Sequence, residues 1–265
     1  MTSHDGLEAT FGFNVLDAIG VQEPYQFSPI SLLFTLALLG KDGFNSTISK
    51  EYSKIGMEDL EVKRYLKNDL GDLVVRADSG VNDVRRNTPN ETRIYFDLAW
   101  ETKLVQKRAG KFYPTPTSEK NIIYLKNEKR VLLKVDDVFQ MISIRYDNKN
   151  LEFVVLLPVK LFDLKNSLKK LTKSRFDNLF RGASLEMVHV MIPKFDILQL
   201  YMNSKKLGLQ TPINTSVKYK QPPRPSKTFV YRPEEKREPY FFKADHPFVF
   251  GILRKGRPVY LGIYS

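Results

Sequence analysis

Apolar positions recur at helical spacing early in the chain and at strand spacing through most of the remainder. Phe11, Val15, Leu16 and Ile19 fall on one face and Gly20 follows, which predicts an amphipathic helix with a glycine stop. Ser28-Pro29 then opens a second helix, with Ser28 as N-cap and Pro29 at a position where a missing N–H costs nothing. Ile30 to Leu39 is apolar nearly all round, so this helix is expected to be buried, and it ends at Gly40. Asn45-Ser46-Thr47 caps a short helix that runs through Tyr52 to Ile55. Between Met57 and Glu91 periodicity weakens, and a single helix near Leu60 to Leu73 is placed there.

Strand patterns follow. Ile94 to Trp100 reads as a strand, and Phe112 to Leu125 and Val131 to Lys134 as strands or turns. Met141 to Tyr146 is expected to pair with Leu151 to Leu157 across the polar turn Asp147-Asn148-Lys149-Asn150. Leu161, Leu164, Leu168 and Leu171 form one helical face, and Phe176, Leu179 and Phe180 another behind a Thr172/Ser174 cap. Met187 to Phe195 is a strand, Leu200 to Leu207 a short helix ended by Gly208, and Asn214 to Lys227 a proline-rich basic loop. The chain closes on two apolar arms, Phe242 to Ile252 and Pro258 to Tyr264, joined through Lys255-Gly256-Arg257. Arms of that kind are buried on both faces and belong inside a sheet. Strands and helices without strict alternation give an α+β fold.

A length of 265 residues with 42% hydrophobic content fits one domain, residues 1–265. The absence of cysteine removes disulfides, thiolate metal sites and a cysteine nucleophile. The first residues are polar and lack the apolar core of a secretory signal, and the run at Ile30 to Leu39 is too short to span a bilayer. The expectation is therefore an intracellular chain with no membrane partner, with an extracellular location as the alternative. Sequons at Asn45, Asn90 and Asn214 are read as chance matches. A net charge of +12 admits a polyanion as partner, although the cations are scattered among several segments. The three histidines, His4, His189 and His246, have no spacing suited to a metal, and no cofactor is expected. Asp245 and His246 are adjacent. As strand neighbours they are expected to point to opposite faces and not to act as a dyad, and no enzyme is predicted.

Six blocks in order resemble the serpins, the suicide protease inhibitors. Phe11 to Leu16 is similar to their first helix, and Phe27-Ser28-Pro29-Ile30-Ser31 through Gly40 to the start and body of the second. Ile94-Tyr95-Phe96 with Trp100 resembles the central strand of the large sheet, and Leu151 to Pro158 the strand ending in leucine-leucine-proline. Met191 to Phe195 with Leu207-Gly208-Leu209 is a further family run. Phe242, Asp245, His246, Pro247 and Phe248 carry the C-terminal signature. The resemblance implies a reduced serpin fold: a large mixed β-sheet, a smaller antiparallel or barrel-like sheet, and helices packed on one side.

Two regions depart from the family pattern. The helical region 57–91 is shortened. The altered region 214–241 leaves only a remnant of the bait loop, Glu234-Glu235-Lys236-Arg237, without the small-residue hinge. An inhibitory member inserts its cleaved loop as a new central strand. Lys236 to Phe241 reaches at most ~20 Å and contains Pro239, which lacks a ladder donor. By resemblance the sheet-opening positions are Ser28, Ser31, Thr92, Trp100 and Ser226, and Thr92 and Ser226 replace the usual asparagine and histidine of the latch. The implied family activity is inhibition of serine or cysteine proteases. This chain is expected to be non-inhibitory and to bind a protein or ligand. Inhibition in a reversible or substrate-like mode and polyanion binding are the alternatives. Self-association through an exposed sheet edge is a further expectation.

Overall fold

The computed structural model describes residues 6–39, 46–70, 106–146, 150–194 and 238–265. Helix α1 is Leu7–Ile19, and Gly20 (φ 82) closes it by returning its N–H to the Leu16 carbonyl. Phe11, Phe13, Val15 and Leu16 are buried, as the spacing requires. Gly12 lies where α1 touches its neighbours. A Cβ there would sit 2.6 Å from Leu261 and 2.9 Å from Pro29, so only glycine permits the approach. Strand β1 (Tyr25–Phe27) precedes α2 (Pro29–Leu39), whose N-terminus is capped by Ser28 Oγ accepting the Ser31 N–H at 3.2 Å. Helices α3 (Ser46–Ser53) and α4 (Asp59–Leu70) follow, tied by the Tyr52 hydroxyl to Asp59 at 2.8 Å.

Strands β2 (Gln106–Thr115) and β3 (Ser118–Val135) form a hairpin, and β4 (Phe139–Arg145) and β5 (Leu151–Pro158) another. Helices α5 (Leu164–Lys169) and α6 (Lys173–Arg181) lead to β6 (Ser184–Pro193), and β7 (Tyr240–Lys243), β8 (Phe248–Arg254) and β9 (Arg257–Tyr264) complete the described strands. The described strands form one open mixed sheet in the order β1-β9-β8-β5-β4-β3-β6-β7, with β2 also on β3. Only the β6–β7 pairing is parallel among them. The antiparallel hairpin block foreseen for a smaller sheet is continuous with the rest through β3.

Three sequence expectations change. The two segments Phe112 to Leu125 and Val131 to Lys134 are parts of longer strands, and β3 runs for 18 residues straight through the charged stretch Lys126 to Arg130. It can do so because β6 pairs with it continuously from Tyr124 to Leu133, with β2 alongside as far as Lys126 and β4 from Leu132, so ladder hydrogen bonds hold the backbone extended whatever the side chains. Leu161 is not on the α5 face; it lies ahead of the helix and is 59% exposed. Phe242 is not part of the last hairpin. It belongs to β7, at the opposite end of the sheet path from β9.

The hairpin itself is as the apolar runs require. Nearly every residue of β8 and β9 is buried, and Lys255-Gly256 turns the chain with both φ values positive (51 and 77). Ile94 to Trp100, the 200–207 helix, the 214–227 loop and Ser226 to Glu235 lie outside the described residues. So do Thr92 and Lys236-Arg237.

Candidate functional site

The signature residues form a strap between β7 and β8. Phe242 is fully buried in β7 opposite Val190, and Phe248 is fully buried at the start of β8, its ring stacked on Tyr264 at 5.3 Å. Between them the chain leaves the ladder and crosses to its new neighbours. The Ala244 N–H donates to Met191 of β6 at 2.9 Å, and the Asp245 carbonyl accepts from Tyr113 of β2 at 2.8 Å. His246 Nε2 lies 3.1 Å from the Pro158 carbonyl at the end of β5. One short segment thus touches three strands that are far apart in sequence.

Because residues 244–247 are not a strand, the expectation that Asp245 and His246 face apart is overturned. Their side chains meet, with His246 Nδ1 3.0 Å from Asp245 Oδ1. The ring is 4% exposed, and each nitrogen faces an oxygen acceptor. Both ring nitrogens are turned to oxygens of the protein itself, so the pair fastens the strap to the end of β5. Lys243 Nζ approaches Asp245 Oδ2 at 3.0 Å. Burial pushes the Asp245 carboxyl up, but hydrogen bonds from His246 and Lys243 and their charges outweigh it and hold the group below its usual range. Burial, with the Asp245 charge second, drives the neighbouring Tyr124 phenol well above its ordinary value.

Of the sheet-opening positions, Ser28 and Ser31 are described and both are fully buried. Ser28 has a local task, the α2 cap. Ser31 Oγ has no hydrogen-bond partner among the described residues, while its carbonyl accepts from Thr35 Oγ1 at 2.8 Å. Thr92, Trp100, Ser226 and the bait-loop remnant Glu234, Glu235, Lys236 and Arg237 lie outside the described residues.

Sequence reasoning missed a buried ionic cluster. Glu8 of α1 is fully buried, receives the Tyr65 hydroxyl of α4 at 2.5 Å, and pairs with Arg257 Nε of β9 at 2.9 Å. Arg257 also donates to the Tyr65 oxygen at 2.6 Å and lies 5.6 Å from that ring. The signal was available: Glu8 precedes Phe11 and Val15 on the same apolar face, where a carboxylate demands a partner.

The register also gathers cations that the sequence scatters. Cross-strand neighbours share a face, so the row Lys126–Met191–Lys243 lies beside Arg108–Tyr124 and the row Glu128–His189–Phe241. His189 Nδ1 is 3.3 Å from Glu128, and Phe241 is 58% exposed. Among the described residues no cluster of His, Asp or Glu could hold a metal ion, and no described helix is long and apolar enough to cross a membrane.

The serpin (serine protease inhibitor) family model matches residues 91–218. The fold is similar to that of tengpin, a thermophilic serpin in its native state: TM-score 0.67, 14% identity, 99% of this chain and 94% of that one covered. It is similar to SRPN18 from Anopheles gambiae at TM-score 0.63 and 15% identity, covering 98% and 97% of the two chains. A thyroxine-binding globulin in complex with thyroxine gives TM-score 0.61 at 13% identity, with 97% of each chain covered. No curated protein matches by sequence.

Proposed function

We propose that this chain is a non-inhibitory serpin, a binding module for a protein or a ligand; the family-model match over residues 91–218 and the fold support the reading. One observation carries the reading. Glu235, the last residue resembling the inhibitor hinge, is followed by Lys236 to Pro239, and at Tyr240 the chain is already paired with Val188 in β7. Four residues span about 14 Å at full extension. A loop that inserts as a central strand needs more residues and a donor at each, which Pro239 lacks. The thyroxine complex of a fold neighbour supports the idea that this architecture can carry a ligand. Incubation with trypsin-like proteases tests the reading. We expect cleavage or reversible contact, and an SDS-stable covalent complex would overturn it.

Lys126 and Lys243 on one cross-strand row, with Arg108 on the next, favour a second reading, in which this half-buried stretch of the sheet holds a polyanion although Lys243 also pairs with Asp245. Elution from heparin resin that shifts steeply with salt, and that weakens in Lys126→Gln, is the expected sign.

A further inference from the structure

A cavity of about 470 Å³ opens where four connections meet: the α1–β1 loop, the β2–β3 turn, the β5–α5 connection and the strap before β8. It lies within the size range of small-molecule sites. Pro24, Pro114, Pro116 and Pro247 form much of its wall, and their fixed φ angles keep that wall in shape without a ligand. The aromatic part of the wall is Phe162, whose φ of 60 places a bulky L-residue in the left-handed region. That ring is 37% exposed rather than packed into the core, and it lies 6.4 Å from the pinned ring of His246. A strained backbone that presents an aromatic face to an open cavity is unexplained by folding alone.

The polar groups supply the sign of the occupant. Lys120 and Lys165 line the cavity together with one acidic side chain, Glu23, and the backbone of Ser265. Lys165 forms no ion pair or hydrogen bond among the described residues, and the Lys120 ammonium makes one long contact, 3.4 Å to the Ser265 carbonyl. An apolar, proline-walled chamber with under-used ammonium groups fits neither an inorganic anion nor a neutral hydrocarbon. We propose that it binds a small amphipathic organic anion, its flat or aliphatic body on Phe162 and the prolines and its carboxylate or sulfonate on Lys120 and Lys165. The proposal rests on the binding-module reading and gives that reading a site.

Fluorescence titration of the whole chain with 8-anilinonaphthalene-1-sulfonate tests it, with the uncharged N-phenyl-1-naphthylamine as the second probe. We expect saturation at one sulfonate per chain and a loss of about tenfold in affinity in the Lys120→Gln/Lys165→Gln double variant. Binding of the uncharged probe should be unaffected by the double variant. Phe162→Gly, which suits the local φ and should fold, is expected to weaken both probes. Sulfonate binding that is absent, that exceeds one equivalent, or that ignores all three substitutions would overturn the site. A chain that fails in this way yet captures a protein partner reversibly would leave the binding-module reading standing.

Discussion

Asp245 holds three elements in register through two side-chain partners and one backbone carbonyl, and its ionisation makes the strap sensitive to acid. Its pKa is lowered in the folded chain, so the unfolded chain binds more protons as pH falls. The stabilisation is present above the ordinary aspartate value and is lost as pH drops through the lower folded value. Melting temperature should therefore fall steeply below about pH 4. Asp245→Asn should cost about 1–3 kcal/mol at pH 7 and flatten the acid limb in melts followed by circular dichroism. Ser28 and Ser31 separate two meanings of a buried serine. Ser28→Ala removes the α2 cap and should cost about 1 kcal/mol in urea unfolding. Ser31→Ala deletes a hydroxyl that has no partner among the described residues, so it should be neutral or stabilising.

At the scale of elements, the Glu8–Tyr65–Arg257 cluster fastens α1 and α4 to the start of β9. Arg257→Met would leave a fully buried carboxylate without its cation and should cost about 3–5 kcal/mol. Adding Glu8→Gln should recover most of that loss, since glutamine still accepts from Tyr65. Equal losses in the single and double variants would show that packing of the arginine stem, not charge, matters. This cluster also marks the boundary of what the sequence discloses. The α1 stop at Gly20, the Ser28 cap and the β4–β5 and β8–β9 hairpins were legible because each is written in neighbouring residues. The continuous β3, the strap geometry of Asp245 and His246, and the partner of Glu8 were not. Each depends on pairing between segments distant along the chain. A local charged run such as Lys126 to Arg130 has no apolar alternation to mark it as a strand until its ladder partners on β6 are known. Of the candidate site, the signature block was legible as a motif, whereas its role as a strap emerged only from where β7 and β8 lie.

At the scale of the molecule, the question is whether cleavage near the hinge remnant would change the fold. In an inserting inhibitor, a cut frees a long flap that joins the sheet, adds a full ladder of hydrogen bonds and raises the melting temperature. Here Tyr240 is held against Val188, so a cut after Lys236 or Arg237 leaves only the stub up to Pro239 ahead of β7, and one or two residues past the hinge remnant at Glu235 on the other side. Neither piece is long enough to add a strand, and the stub contains a proline that would break the ladder. Brief trypsin treatment, with the cut located by mass spectrometry, should therefore give a nicked chain that melts at or slightly below the temperature of the intact one. A rise of about 10 °C on nicking would correspond to several kcal/mol in a domain of this size. Such a rise would mean that a strand had formed, and that the segment bearing the hinge is longer and freer than the spacing from Glu235 to β7 permits.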